Sequence, residues 1–186
     1  MKINYKKSVK FLTLLISALL IATASATMYY SLSISGTVTT AVTIRFGQGA
    51  DWPAGSTMGT GNTSVTLALK AYPNSTLVYA EALKVNNTST GTPSVRLRNN
   101  SITNGTADVG NFTFINITLI NDTNALMGYL NYTVSGNNFI LSQSTNYQQM
   151  DSSDVWKIRI ETKAKANALP DISVSLQIYL DVEEEA

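Results

Sequence analysis

The sequence predicts an all-β protein, a jelly-roll-like β-sandwich with one short helix and an N-terminal extension strand. Three observations lead to this prediction. Apolar and polar residues alternate with period two in one segment after another, as in half-buried strands. Ser and Thr make up 42 of the 186 residues and Asn another 17, which is typical of a sandwich with many polar loops. The chain has no Cys, so it must be stabilised by its packed core without disulfides.

The first 26 residues are predicted to be a signal peptide. A lysine-rich start is followed by FLTLLISALLIA, an apolar run of about twelve residues, and then by small residues that allow cleavage after Ala24 or Ala26. The alternative is a type IV pilin leader, whose apolar segment survives as a filament-core helix. That alternative needs a longer helical run than one that stops at Ala22. We therefore expect a secreted, extracellular protein with no membrane span in the mature chain.

Charge and composition exclude several function classes. Loss of the four N-terminal lysines leaves nine basic against twelve acidic residues, a net charge of −3, so no nucleic-acid partner is expected. The absence of His and Cys removes the usual zinc sites, Cys nucleophiles, Ser-His-Asp triads and HExxH motifs. Glu81, Asp108 and Glu161 could form a glycosidase-type carboxylate pair, but none lies in a recognisable motif. We therefore expect no enzyme, no catalytic or metal site and no cofactor.

The longest alternation, MYYSLSISGTVTTAVTIRF, covers residues 28–46. As one strand it would span about 60 Å at roughly 3.3 Å per residue, about three times the usual strand length. Gly36 lies in its middle and lacks a Cβ, so we expect it to be a hinge between two strands. Residues 27–36 would then form a free arm, and 37–186 the sandwich domain. The arm carries four apolar residues without an obvious partner in their own domain: Met28, Tyr30, Leu32 and Ile34.

Such an arm is what donor-strand complementation requires, because its buried face can complete the sheet of a neighbouring subunit. Repetition of this head-to-tail contact would give a homopolymer. Two simpler interpretations stay open, namely one long first strand or a hairpin arm bent at Gly36. The free energy gained by burying the apolar side chains and the entropic cost of ordering the arm are of similar size. A pre-formed acceptor groove would therefore decide whether the arm binds.

The remaining elements follow from local patterns. Alternation predicts strands in 63–72, around Val95 and Leu97, in 155–164 and in 171–182. In 111–120 the alternation changes phase after Phe114, which indicates a β-bulge. GYLNYTV and NNFILSQ should form a hairpin across Ser135–Asn138. The segment 75–87 is rich in Leu, Ala, Glu and Lys and follows Pro73, which predicts the short helix.

Asn-x-Ser/Thr sequons occur ten times, where about four are expected by chance from this composition. A Ser/Thr/Asn-rich chain generates some of them freely, but the excess favours a heavily N-glycosylated surface protein with N-linked glycans as partners. The adjacent pair at 86 and 87 is not expected to be modified on both residues. The ten sites are Asn62, Asn74, Asn86, Asn87, Asn99, Asn104, Asn111, Asn116, Asn121 and Asn131.

Three segments, SISGTVTTAVTIRF, TLALKAYPNSTLVYAEALKVNN and DISVSLQIYLDV, together with the signal peptide, resemble the secreted filament proteins related to TasA and camelysin. Within that group the chain is most similar to archaeal bundling pilins and thread-type filament subunits. The resemblance implies a jelly roll whose N-terminal strand enters the adjacent subunit, and a role in pili, lateral bundles, adhesion and biofilm matrix. The protease activity ascribed to camelysins is not carried over, because this chain has no His.

A different function class is a monomeric glycosylated cell-surface or S-layer-associated binding module. Such modules usually carry an aromatic platform or a calcium cage, and here Asp151 with Asp154 is only a thin calcium candidate, more typical of a polar turn. Trp52 lies in a Gly-rich loop and is predicted to anchor it over an interface, with a ligand site as the minor alternative. We expect the filament subunit.

Overall fold

The computed structural model describes residues 30–38, 43–102, 109–144, 146–168 and 173–183. These residues form two six-stranded β-sheets that pack against each other around one core, which confirms the predicted all-β sandwich. The finer assignment to a jelly roll stays a prediction. The predicted signal peptide with its cleavage sites at Ala24 and Ala26, as well as Met28, lies outside the described residues.

The first sheet, sheet A, contains the strand nearest the N-terminus among the described residues. In spatial order it consists of β10 (Gln148–Gln149), β6 (Ser94–Ile102), β12 (Ser173–Glu183), β1 (Tyr30–Val38), β4 (Ser64–Ala71) and β3 (Thr57–Met58). Both outermost strands are only two residues long. Short edge strands of this kind offer little template for pairing with another sheet edge.

The second sheet, sheet B, lies across the core from sheet A. In spatial order it consists of β2 (Ile44–Gln48), β5 (Thr76–Asn87), β11 (Val155–Ala164), β7 (Phe112–Ile120), β8 (Leu126–Ser135) and β9 (Asn138–Gln143). Neighbouring strands of this sheet pair antiparallel throughout.

The core forms because buried and outward positions alternate along the strands as the sequence predicts. In β11, Trp156, Ile158 and Ile160 are buried, and the residues between them face outward. Val95 and Leu97 are buried in β6, with an arginine after each. The phase change in β7 is confirmed as a register irregularity in its pairing with β11. The predicted hairpin is β8–β9, which turns at a left-handed glycine (φ 61°).

The predicted helix at 75–87 is wrong, because this segment is strand β5. Its Leu, Ala, Glu and Lys content favours a helix locally. The segment nevertheless lies between β2 and β11 and pairs with both, and Leu83 and Val85 are fully buried at alternate positions. Burial between two strands therefore overrides the local propensity. Two short 3₁₀ turns, Thr60–Asn62 and Val109–Asn111, occur elsewhere in the described chain.

No helix in the described ranges is long and apolar enough to cross a membrane.

Candidate functional site

Strand β1 fills the middle of sheet A and separates β12 from β4. It runs parallel to β12, with Ile34 opposite Leu176, and antiparallel to β4, with Ile34 opposite Leu67. Eight residue pairs define the register on each side, from Ser31↔Ser173 on β12 and Tyr30↔Ala71 on β4. The space that β1 occupies between these two strands is called the β1 groove below.

Gly36 does not divide two strands, because β1 continues through it to Val38. The next strand, β2, begins at Ile44 in the other sheet, so the chain changes sheets after Val38 and not at Gly36. The predicted hinge is therefore wrong. The predicted arm, 27–36, is also not without a partner in its own chain, since residues 31–36 pair with both neighbours and Tyr30 pairs with β4. Whether it acts as a donor strand stays a prediction.

The inward face of β1 is closely packed at its centre. The side chain of Ile34 is fully buried, and Gly36 is buried next to it. A Cβ placed on Gly36 would lie 3.1 Å from Cγ1 of Val65, 3.6 Å from Cζ of Phe46 and 3.7 Å from Cγ1 of Ile178. Phe46 belongs to sheet B, so an aromatic ring from the opposite sheet takes part of the space beside the glycine. Gly36 thus serves packing here.

The β12 wall of the groove is fixed to β6 by a charged cluster on the outer face of sheet A. Asp181 is 6% exposed, and its carboxylate accepts hydrogen bonds from Nε of Arg96 (3.1 Å) and from Nε (2.7 Å) and Nη2 (3.0 Å) of Arg98. Hydrogen bonding to Asp181 raises the pKa of Arg98. The two guanidinium groups also lie over aromatic rings, Arg96 over Tyr147 at 4.4 Å and Arg98 over Tyr179 at 4.8 Å.

The β4 wall is fixed to sheet B. The backbone N–H of Lys70 donates to the Tyr79 hydroxyl at 3.0 Å, and the Thr162 hydroxyl, which is buried, donates to the Lys70 carbonyl at 2.6 Å. Burial raises the pKa of Tyr79. A third contact joins the two sheets, since the Tyr132 hydroxyl donates to Oδ1 of Asn99 at 3.0 Å. None of these contacts involves a residue of β1.

Most of the described sequon asparagines lie at the surface. Asn62 and Asn74 are exposed, both with a left-handed φ of 57°. Asn86, Asn116 and Asn131 are half-buried and alternate with buried neighbours, so they face outward from sheet B. Asn111 and Asn121 are half-buried next to sheet B strands, and Asn99 is half-buried in β6. Asn104 lies outside the described residues.

Asn87 does not fit its assignment as a glycosylation site. It is 4% exposed, and its Nδ2 donates to the carbonyls of Gly91 (2.9 Å), Met150 (3.2 Å) and Asp151 (3.0 Å). Its Oδ1 accepts from the backbone and hydroxyl of Ser89. A glycan on this nitrogen would replace one of its two N–H donors, and the 4% exposure of Asn87 leaves a glycan no path to solvent. Asn87 is therefore a structural residue that holds the turn after β5. The Asn-x-Ser/Thr triplet alone does not reveal this role.

The candidate carboxylates are paired with basic side chains. Glu81 contacts Lys84 and Lys157, each at 3.5 Å, and Glu161 pairs with Arg159; Asp108 lies outside the described residues. Asp151 and Asp154 form a turn, in which the Asp154 carboxylate accepts from the Asp151 N–H and from the Trp156 indole. The described residues contain no group of three or more His, Cys, Asp or Glu side chains suited to a metal.

The loop around Trp52 is attached to sheet B. The Asp51 carboxylate accepts from the backbone N–H groups of Ala80 (2.8 Å) and Glu81 (3.3 Å), which fixes the loop to β5. Trp52 is partly buried against the core, which agrees with its predicted role as the anchor of the loop, whereas the interface expected beneath the loop stays a prediction. A shallow pocket of about 370 Å³ lies beside it, lined by Asp51, Trp52, Pro53, Ala54, Ala68, Lys70, Val78 and Tyr79.

Comparison with protein-family models finds none that matches this chain, and no curated protein sequence matches it either.

Proposed function

We propose that this protein is the structural subunit of an extracellular filament assembled by donor-strand complementation, with β1 as the donor strand. The observation that carries the proposal is the position of β1, the strand closest to the predicted signal-cleavage site, in the centre of sheet A. The strand is flanked on both sides and follows the predicted mature N-terminus by only a few residues. A strand attached to the domain at one end only can leave its groove without unfolding the rest of the chain.

The walls of the β1 groove support this role because contacts outside β1 hold them. Asp181 and its two arginines fix β12 to β6, and Tyr79 and Thr162 fix β4 to sheet B. An acceptor groove must keep its shape while it waits for a strand, since ordering a donor strand already costs backbone entropy. Preorganised walls reduce the further cost of closing around it.

An empty groove would be unstable, which favours its occupation by a second copy. Loss of β1 would expose unpaired backbone groups on β12 and β4, and two facing strand edges form a template for another strand. The β1 strand of a neighbouring copy offers the same residues in the same ladders. Donor and acceptor lie on different surfaces of each subunit, so repetition of the contact is heterologous and gives an open chain.

The linker between β1 and β2 limits how the subunits can meet. From Val38 to Ile44 the chain makes six Cα steps, which reach at most about 20 Å. In the closed chain this is ample to cross from one sheet to the other, about 10 Å away. In a filament the same length would place the donor's own domain directly against the acceptor, so we expect tight packing between neighbouring subunits.

The distribution of sequons supports an extracellular surface protein. The outward faces of sheet B strands carry Asn86, Asn116 and Asn131, and exposed turns carry Asn62 and Asn74. Together with the predicted signal peptide and the resemblance to TasA- and camelysin-related filament proteins, this favours a secreted, N-glycosylated jelly-roll subunit of pili that bundle, adhere and contribute to biofilm matrix.

The experiment locks β1 into its own groove. Ser35 and Thr66 are opposite each other on β1 and β4, a spacing that a disulfide can bridge, and the chain has no native Cys. The double variant Ser35→Cys/Thr66→Cys, refolded at low concentration and oxidised, should give no filaments in negative-stain electron microscopy, and reduction should restore them. Each single variant is the matched control. Deletion of residues 27–35 should likewise prevent assembly. Filaments formed by the oxidised double variant as readily as by the single variants would exclude donor-strand exchange.

The pocket beside Trp52 favours a second candidate, a monomeric cell-surface binding module. An aromatic face next to the Asp51 and Tyr79 polar groups suits a neutral sugar ring. Titration of the oxidised, monomeric double variant with cell-wall oligosaccharides, followed by Trp fluorescence, tests this function separately. An unchanged spectrum at millimolar sugar would count against it.

A further inference from the structure

We infer that Gly36 sets the register of β1, so that the β1 groove accepts only a strand with glycine at the position opposite Val65 and beneath the Phe46 ring. The fit of β1 in its own chain stands without the proposed function. Its extension to a strand from a second copy rests on that function. The groove would thus be selective for this chain's own β1 pattern, apolar-x-apolar-x-Gly-x-apolar.

The alternation along most of β1 does not by itself define a register. From Leu32 to Val38 the sequence alternates Leu, Ile, Gly and Val with Ser, Ser and Thr. A slip of two residues keeps every residue on its own face and exchanges aliphatic for aliphatic and hydroxyl for hydroxyl. Polarity therefore distinguishes poorly between the observed pairing and pairings shifted by two. In this alternation Gly36 stands where Leu, Ile and Val stand at the other positions, and it has no side chain.

The surroundings of Gly36 distinguish the registers by steric fit. A single Cβ there would already lie 3.1 Å from Val65 and 3.6 Å from Phe46, and Val65, Phe46 and Ile178 are at most 2% exposed. A slip in one direction brings Ile34 opposite Val65, and a slip in the other brings Val38 there. Either would force a branched side chain against buried neighbours and leave a void where the glycine arrives. Overpacking of this kind disfavours the slipped registers by on the order of ten- to hundredfold.

Cysteine pairs on the outer face of sheet A measure the register directly. With one Cys at Ser35, a second Cys at Thr66 reports the observed register. A Cys at Ser64 reports the slip that places Ile34 opposite Val65, and a Cys at Ala68 reports the opposite slip. In the otherwise unaltered chain we expect the Thr66 pair to close at least tenfold faster than the other two. A slipped pair that closes as fast as the Thr66 pair would overturn the inference.

Substitution of Gly36 is the second test. Gly36→Leu should slow closure of the Ser35→Cys/Thr66→Cys pair at least tenfold, and Phe46→Ala in the same chain should recover part of the rate by making room. Thr37→Leu is the matched control, because Thr37 is exposed in the same strand, and it should leave the rate unchanged. Closure at the unaltered rate in Gly36→Leu would also refute the inference. If this variant does not fold, the three-pair comparison decides alone.

Non-reducing gels separate a failure of the inference from a failure of the proposed function. Disulfides within one chain run as monomers, and disulfides between chains run as ladders. Closure only within chains, with the Thr66 pair dominant, would support the register and contradict strand exchange. Closure of several pairs, in whichever form, would contradict the register and leave exchange to be decided by the filament assay.

Discussion

Replacement of Ile34 by Ala tests whether β1 contributes to the stability of its own sandwich. The Ile34 side chain is fully buried and lies opposite Leu67 on one side and Leu176 on the other. Truncation of a buried Ile to Ala costs about 2–5 kcal/mol, because it removes transfer free energy and leaves a cavity. For a domain of this size each kcal/mol lowers Tm by roughly 2–4 °C, so Ile34→Ala should melt about 4–20 °C lower.

The assay is urea unfolding of the monomer, followed by circular dichroism, with the thermal melt as a second reading. Ser35→Ala is the matched control, because Ser35 is the next residue of the same strand and faces the other way; its effect should stay within about 0.5 kcal/mol. The two variants should share the same m-value, since the surface exposed on unfolding hardly changes. Equal midpoints for Ile34→Ala and Ser35→Ala would refute the packing of β1 in its own groove.

Two further predictions concern residues outside β1. Burial raises the pKa of the Tyr132 and Tyr79 hydroxyls, so the folded state holds these protons more tightly than the unfolded state; stability should be intact below pH 10 and fall as the pH rises above it. Tyr132→Phe should lower the free energy of unfolding by about 0.5–1.5 kcal/mol at pH 7, because the hydrogen bond to Asn99 is lost. It should also flatten the alkaline decline in stability, which urea unfolding at pH values from 8 to 11 measures. A pH profile identical to that of the unaltered protein would contradict the contribution of Tyr132 to this decline. Asn87 should carry no glycan in site-specific mass spectrometry of the secreted protein, and Asn87→Ala should lower the free energy of unfolding by roughly 1–3 kcal/mol because three carbonyls lose a donor. A glycan on Asn87 in the folded protein would refute that role.

The sequence predicts the fold class and most strands because alternation directly reflects burial on one face of a sheet. It fails at 75–87, where helix-favouring residues become β5 once two strands enclose them. The sequence also places the end of the first strand at Gly36, because a residue without a Cβ suggests a bend. In the structure Gly36 instead makes room beside Phe46, which is a residue of the other sheet. Contacts of that kind cannot be read from local pattern.

The polar contacts around the β1 groove could not be predicted from the sequence either. The alternation of Arg96 and Arg98 with buried residues predicts that both face outward, and Asp181 does the same in β12. Their meeting on neighbouring strands depends on a register between segments more than 80 residues apart. The sequon rule likewise identifies Asn87 by its triplet alone, although burial decides its role.

The ladders of β1 do not distinguish the closed chain from the proposed filament, because β1 would make the same ladders in a neighbour's groove as in its own. In the closed chain the short linker holds β1 at an effective concentration in the millimolar range. A second copy at micromolar concentration cannot displace it by mass action alone, so filament growth requires additional contacts between subunits. In the proposed filament the linker reach of about 20 Å would bring neighbouring domains into contact, where such an interface could form. Removing β1 from its own groove breaks two ladders of hydrogen bonds at once, so exchange between two closed chains should be slow. Growth should therefore be faster from a filament end that already presents an empty groove.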